Sequence, residues 1–189
     1  FNTEIPQAAR AKLGLPRETL ANWIGHVVPD NVQAGKVLAE ILAGQARQRH
    51  AGEHGSATTM VALSGTLDSS AAKDRNLGLE GVADGKQVRL MQLIYADWSR
   101  QQAGEKTRVL LSRYPGTTAI WSASDGMAIG AIDAIRQAGK APGQDIVVSG
   151  VDWEPQALAA IRRGELAVSL GRHFMGGGLV LLLLHDYHK

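Results

Sequence analysis

Short apolar segments alternate with amphipathic helical patterns along most of the chain, and this alternation constrains the fold more than any other feature. The apolar segments are rich in valine, isoleucine and leucine on both faces, as is typical of strands covered by helices on both sides of a sheet. A helix between two strands returns the chain to the edge where the first strand began, so the strands run parallel. The sequence therefore predicts an α/β fold in which a parallel sheet is flanked by helices on both faces. The predicted strands are residues 58–63, 88–96, 117–123, 146–151 and, as a short fifth, 167–170.

Residues that commonly cap helices mark the predicted helix ends. Asp30 precedes apolar residues at helical spacing, and Ser99 with Gln102 forms a capping box. Gly139 and Gly164 stand where glycine commonly ends a helix. One helix is therefore predicted to begin after Asp30 and to end before a polar, glycine-rich loop. That loop covers residues 47–57, and the other predicted helices cover 69–82, 99–114, 125–138, 155–163 and 175–185.

Charge and cysteine content exclude several functional classes. The 189 residues carry a net charge of only +2 without any block of five Lys or Arg, so nucleic-acid binding is not expected. The chain has no cysteine, which excludes disulfides, Cys-ligated zinc and iron–sulfur clusters. We expect no metal or cofactor, because the His50 and His54 of a zinc-protease-like pattern fall in the glycine-rich loop. Direct membrane insertion is not expected, because the longest apolar run, 179–184, is far shorter than the ~20 residues that cross a bilayer.

Polar residues follow each of the first four predicted strands, at the edge where open α/β sheets bind ligands. The segments are Ser64-Gly65-Thr66, Asp97-Trp98-Ser99, Ser124-Asp125-Gly126 and Asp152-Trp153-Glu154, with Arg75 on the helix after the first. Carboxylates accept hydroxyl protons, a guanidinium donates in a fork, and an indole offers a flat apolar face. This mixture favours a small polyhydroxylated or zwitterionic ligand.

Two other interpretations of these residues remain open at this point. Ser99, Ser124 and Asp125 could serve only as helix caps, since caps strongly favour these residue types. Asp125 and Asp152 could form an acid/base pair of the kind that hydrolyses glycosides. Because no nucleophile or metal pattern accompanies that pair, we expect a protein that is not an enzyme.

Four groups of motif residues follow one another along the chain. They are Asp30-Asn31 with Gly35, Ser64-Gly65-Thr66 with Arg75 and Gly78, Ser124-Asp125-Gly126-Met127-Ala128 with Gly130, and Gly150-Val151-Asp152 with Ala157, Ile161 and Gly164. No single motif is decisive, but the ordered set, which covers roughly residues 1–180, resembles type I periplasmic binding proteins, closest to the ribose-binding branch of ABC-transporter solute receptors.

The resemblance implies two α/β lobes that close on a ligand across a hinge. Residues 27–170 would form the second, C-terminal lobe. Residues 1–26 would be the end of the first lobe and a hinge crossing, and residues 171–189 would return to that lobe and stop short. Most of the first lobe, with its half of the cleft, would then lie outside this sequence.

The resemblance also implies a set of ligand contacts. Asp152 matches a carboxylate that accepts two ligand hydroxyls, Arg75 matches an arginine that donates to hydroxyls, and Trp98 matches an aromatic side chain that stacks on a sugar ring. Ser124 stands where many members have asparagine. Arg172 falls near a position that is usually glutamine. The expected ligand-binding residues are Asn2, Arg75, Trp98, Ser124, Asp125, Asp152 and Arg172.

The function implied by the resemblance is that of a solute-binding protein of an ABC importer, which binds a sugar or sugar derivative between two lobes without chemistry. Its partners would be that small molecule and the permease subunits. Its location would be the periplasm, with a signal peptide expected upstream of Phe1. The effector-binding core of a lactose-repressor-type regulator and a periplasmic sensor domain are the alternatives, because they share the fold.

Overall fold

The computed structural model describes residue 5 and residues 7–50, 57–83, 85, 87–171 and 175–187. Helices and strands alternate through most of these residues. The elements are α1 (Gln7–Leu13), α2 (Asn31–Arg49), β1 (Thr58–Ser64), α3 (Ser70–Ala83), β2 (Val88–Tyr95), α4 (Arg100–Arg113), β3 (Ala119–Ser122), α5 (Asp125–Gln137), β4 (Val147–Val151), α6 (Pro155–Arg162), β5 (Val168–Leu170) and α7 (Gly176–Tyr187).

The five strands form one parallel sheet in the order β2-β1-β3-β4-β5, which confirms the predicted fold class. The connection from β1 leads to β2 at one edge of the sheet, and the later connections lead step by step toward β5 at the other edge. Right-handed crossovers therefore place α3 on one face and α4, α5 and α6 on the opposite face. α2 packs on α3 and completes the first face. β1 and β3 are neighbours from which the chain leaves in opposite directions, and open α/β sheets bind ligands beyond the carboxyl ends of such a strand pair.

The core lies in the central strands and the helices that cover them. Every residue of β3 and β4 is buried, as expected for strands with helices on both faces. Trp121 of β3 is fully buried, and its indole Nε1 donates a hydrogen bond to the Gly35 carbonyl oxygen of α2 at 3.2 Å. The largest side chain of the sheet core thus fixes the position of α2.

α2 and α3 touch through two glycines. A Cβ atom added to Gly35 would lie 2.0 Å from the Arg75 carbonyl oxygen, and one added to Gly78 would lie 2.0 Å from that of Val32. The two helix backbones therefore approach more closely than any side chain would allow. This approach brings the N-terminal residue of α2, Asn31, next to the Arg75 side chain.

Two helical segments differ from the sequence prediction. α2 continues to Arg49, three residues into the predicted loop, because Ala46 is still buried and the two basic residues of the last turn are favourable at a helix C-terminus. Residues 51–56 of that loop lie outside the described residues. Periodicity does not predict α1, because its seven residues are too few to show a helical repeat.

α7 agrees closely with the helix predicted over residues 175–185. None of its described side chains is buried, and Leu181 is 68% exposed. Arg17 contacts its Tyr187 ring, with the guanidinium carbon 4.3 Å from the ring centre. No helix in the described part of the chain is both long enough and apolar enough to cross a membrane.

Candidate functional site

Three of the predicted ligand-binding residues come together beyond the carboxyl ends of β1 and β3. The Arg75 guanidinium carbon lies 5.8 Å from the centre of the Trp98 ring, and Arg75 interacts electrostatically with the Asp152 carboxylate. We call Arg75, Trp98 and Asp152 the Arg75 cluster. It joins the helix after β1 to the loops after β2 and β4.

Arg75 is held almost completely inside the protein. It is 2% exposed, its Nε donates to Asn31 Oδ1 at 2.9 Å, and its Nη1 donates to the Ala123 carbonyl oxygen beyond β3. Burial lowers the pKa of Arg75, whereas the Asp152 carboxylate raises it. Because a guanidinium keeps its charge in proteins, the cluster contains a fixed, oriented cation.

The Trp98 indole rests on a glycine. A Cβ atom added to Gly65, the residue after β1, would lie 2.0 Å from Trp98 Cε2 and Cζ2. Both Asp97 and Trp98 have positive backbone φ angles, of 52° and 59°. Non-glycine residues adopt this conformation only where the surroundings hold them in it, and such residues are common at binding sites. The sheet edge therefore holds the indole over β1, beside Arg75.

Asp152 also has an unusual backbone conformation, with a φ angle of 124°. Its N–H donates to the Leu170 carbonyl oxygen of β5 at 2.7 Å. Burial raises the pKa of the Asp152 carboxyl to about 6, which Arg75 and a hydrogen bond from the Asp125 backbone oppose and Glu154 reinforces. The group thus lies near the midpoint of its titration at mildly acid pH.

Ser124 is the N-cap of α5, as the cap interpretation predicts, whereas Asp125 is the first helical residue and its side chain accepts hydrogen bonds from outside the helix. Ser124 Oγ accepts a hydrogen bond from the Met127 N–H at 3.4 Å. The Asp125 carboxylate is fully buried, and it accepts from Ser169 Oγ at 2.7 and 2.9 Å and from the Glu154 N–H at 2.9 Å. Burial raises the pKa of Asp125 to about 6, against the effect of those two donors. Contact of Ser124 with a ligand stays a prediction.

Trp153 packs against β5 and its continuation. Its indole Nε1 donates to the Ser169 carbonyl oxygen at 2.8 Å, and a Cβ atom added to Gly171 would lie 2.1 Å from the ring. The side chain is nevertheless 39% exposed.

Sequence reasoning missed two groups of the site, Ser169, which donates to Asp125, and the side-chain amide of Asn31, which accepts from Arg75. The motif position of Asn31 beside Gly35 was the available signal for one of them, and Ser169 carried none.

Two of the predicted ligand-binding residues, Asn2 and Arg172, are not among the described residues. Within the described residues, no group of three His, Cys, Asp or Glu side chains could hold a metal ion. An open groove of about 380 Å³ lies away from the cluster, between α4 and α5, and is lined partly by Gly104, Gly130 and the Arg100–Asp133 ion pair.

Known proteins with the same fold share this arrangement of elements. Residues 21–173 match the family model described as the periplasmic binding protein domain. A crystal structure of a periplasmic sugar-binding protein from Pseudomonas fluorescens has 36% identity and a TM-score of 0.83, over 99% of this chain and 53% of that chain. An ABC transporter periplasmic solute binding protein from Actinobacillus succinogenes 130z, solved with bound D-allose, has 25% identity and a TM-score of 0.73, over 87% of this chain and 53% of that chain.

A curated sugar-binding protein also matches most of the chain. The ribose import binding protein of Salmonella typhimurium is 28% identical over 154 residues, which are 82% of this chain and 48% of the relative. The chain therefore spans about half the length of the curated relatives it matches. The resemblance to type I periplasmic binding proteins, drawn from the motifs, is confirmed.

Proposed function

Because the chain belongs to the periplasmic binding protein family, we propose that it forms one wall of a cleft that binds a sugar or sugar derivative in the solute-binding component of an ABC importer. The observation that supports this function most directly is the Arg75 cluster. It places a fixed cation, an aromatic ring and a carboxylate at the ligand-binding edge of the sheet.

Each group of the cluster suits one part of a sugar. The Asp152 carboxylate accepts hydrogen bonds from two ligand hydroxyls, and the Arg75 guanidinium donates to a hydroxyl or ring oxygen. The Trp98 ring covers the apolar face of the sugar, and Gly65 supports it from behind. Burial from water strengthens these hydrogen bonds and penalises any ligand that leaves one of the groups unpaired.

The proposed function involves binding and release without turnover. An acid/base pair would need Asp125 and Asp152 both directed at a bond to be broken. Asp125 accepts from Ser169 and the Glu154 backbone instead, and it is fully buried. The proposed partners are therefore the sugar and the permease subunits of the importer, and the proposed location is the periplasm.

The proposed lobe boundaries follow the packing of the described elements. The buried residues of the core lie between Leu38 and Leu166, inside the proposed lobe of residues 27–170. The contact between Arg17 and Tyr187 links the two segments, 1–26 and 171–189, that are assigned to the other lobe. The exposed apolar side chains of α7 are those expected of an element that belongs to another core.

Calorimetric titration of the intact protein with D-ribose, D-allose, a sugar acid and a polyol tests the proposed function. We expect saturable binding of at least one sugar, and Asp152→Ala should remove most of its affinity while the thermal unfolding transition remains. Asp145→Ala is the matched control, since Asp145 also accepts a backbone N–H, from Ala141, but in an exposed turn before β4. Absence of binding to every sugar, or unchanged affinity in Asp152→Ala, would contradict the proposal.

A further inference from the structure

The segment from Asp152 to Glu154 needs support from outside itself. Asp152 and Trp153 are consecutive non-glycine residues with φ angles of 124° and 57°. A chain relaxes from such angles unless the surrounding structure fixes it. The position of the Asp152 carboxylate in the Arg75 cluster therefore depends on whatever holds this segment.

The backbone N–H groups of these three consecutive residues each donate to an acceptor outside the segment. The Asp152 N–H donates to the Leu170 carbonyl oxygen at 2.7 Å, and the Trp153 N–H donates to Ser169 Oγ at 3.3 Å. The Glu154 N–H donates to Asp125 Oδ2 at 2.9 Å. Two of these three acceptors lie on β5, and the third is the Asp125 side chain of α5.

The Asp125 carboxylate also sets the direction of the Ser169 hydrogen bond. A hydroxyl has one proton to donate, and Ser169 directs it to Asp125 at 2.7 and 2.9 Å. The oxygen lone pairs of Ser169 are then available to the Trp153 N–H. Asp125 thus anchors two of the three hydrogen bonds, one directly and one through Ser169.

The site is shaped for this carboxylate. A Cβ atom added to Gly150 would lie 2.1 Å from Asp125 Oδ1, so the carboxyl group occupies the space that a side chain at residue 150 would need. Only an ionised carboxylate accepts on both oxygens without offering a proton of its own. Both carboxylate oxygens of Asp125 already accept from Ser169 or the Glu154 N–H, so the protein itself uses the groups that a sugar hydroxyl would need.

We propose that Asp125 is a positioning residue that holds Asp152 in its ligand-binding conformation through Glu154 and Ser169, and that it does not contact the sugar itself. This inference rests on the proposed function for its ligand. Its structural part concerns the free protein and can be tested without one.

Amide hydrogen exchange of the ligand-free, intact protein tests the structural part. Asp125→Asn loses one acceptor oxygen, and Ser169→Ala loses the hydroxyl that links Asp125 to the Trp153 N–H. Ser169→Thr is the conservative variant, and Asp145→Asn is the control. The Asp152 N–H bonds to Leu170 and not to Asp125, so its exchange reports the segment rather than the lost bond. We expect at least tenfold faster exchange at Asp152 in Asp125→Asn and Ser169→Ala, near-normal exchange in the other two, and unchanged protection at Leu63 of β1. Unchanged exchange at Asp152 in both Asp125→Asn and Ser169→Ala would overturn the proposal.

A double-mutant cycle on affinity for D-ribose and D-allose tests whether Asp125 acts through Asp152. We expect Asp125→Asn to weaken binding at least tenfold in the natural background and less than twofold in an Asp152→Asn background. Equal losses in both backgrounds would show that Asp125 affects affinity independently of Asp152, which would overturn the inference. If neither sugar binds the unmutated protein, the proposed function fails for these sugars, while the exchange measurement still decides whether Asp125 positions the segment.

Discussion

Burial sets the charge of the two carboxyl groups at the candidate site. It raises the pKa of both Asp125 and Asp152 to about 6, although each also has a neighbour that favours its charged form. Arg75 provides that stabilisation for Asp152, and Glu154 opposes it. A ligand hydroxyl that donates to Asp152 acts in the same direction as Arg75, because it favours the ionised carboxylate. The proposed function therefore predicts that sugar binding and proton release are coupled at this residue.

The first prediction concerns the pH dependence of affinity. Below pH 6, Asp152 holds a proton that must leave before the carboxylate can accept two hydroxyls, so affinity for D-ribose or D-allose should fall as the pH decreases from 7 to 5. The proton of Asp152 alone gives a slope that approaches about tenfold per pH unit, and protonation of Asp125, whose pKa is also raised to about 6, adds to it by releasing the Asp152 segment. Calorimetry in buffers of different ionisation enthalpy measures the proton release. Asp152→Asn should bind more weakly and lose most of the slope, and a flat profile in the unmutated protein would contradict the coupling.

The second prediction concerns the support of Trp98. Gly65→Ala should push the indole from its place, because the new Cβ would lie 2.0 Å from the ring. We expect sugar affinity to fall at least tenfold and the fluorescence of Trp98 to change, with a loss of about 1–3 kcal/mol in the free energy of unfolding from overpacking. Gly81→Ala in α3 is the control, since nothing lies within 4 Å of its new Cβ. Equal affinity in Gly65→Ala and the unmutated protein would show that the ring position does not matter for binding.

Sequence reasoning identified the residues after the strands but not how each is used. Arg75 and Asp152 were predicted from motif positions, and the structure brings them together. That Asp125 accepts from Ser169, 44 residues away, depends on α5 and β5 meeting at the end of the sheet. Such a partner leaves no pattern at short range, so the sequence could not distinguish a ligand contact from an internal hydrogen bond.

At the scale of helices and strands, close contact between α2 and α3 places Arg75. Gly35 and Gly78 let the two backbones touch, and Asn31 at the start of α2 then reaches the Arg75 Nε. The strands were predictable to within about two residues because their apolar runs are buried on both faces. The end of α2 was not, because its last turn is polar and depends on the burial of Ala46.

The third prediction compares two glycines of α2. Gly35→Ala should separate α2 from α3 and lower the free energy of unfolding by about 1–3 kcal/mol, since its Cβ would meet the Arg75 backbone. Gly44→Ala meets nothing within 4 Å and should raise that free energy by about 0.5–1 kcal/mol. Urea unfolding measures both. A Gly35→Ala protein as stable as Gly44→Ala would contradict the close helix contact.

At the scale of the whole molecule, the core is confined to one set of elements. The sheet and α2 to α6 contain the buried cluster, whereas α7 has no buried side chain among those described. The parallel sheet with both faces covered could be predicted from the alternation of patterns alone. The absence of buried side chains in the described part of α7 could not, because an apolar run has the same pattern whether or not another surface covers it.

The fourth prediction is that residues 27–170 fold by themselves. A fragment of these residues should unfold cooperatively on heating, because it retains the sheet and the helices of both faces. A shorter fragment of residues 27–150 is the control, since it loses Asp152, α6, β5 and the partners of Asp125. Circular dichroism melts compare the two. A broad, non-cooperative melt of the 27–170 fragment would show that the outer segments are needed for folding.

The contact of Trp98 with Gly65 restricts how this wall can be altered to accept other ligands. A smaller side chain at 98 leaves a gap over the glycine, and any side chain at 65 displaces the ring. A change of ligand preference here therefore requires residues 65 and 98 to be substituted together. A library that varies one codon at a time will miss the combinations in which the two side chains fit each other.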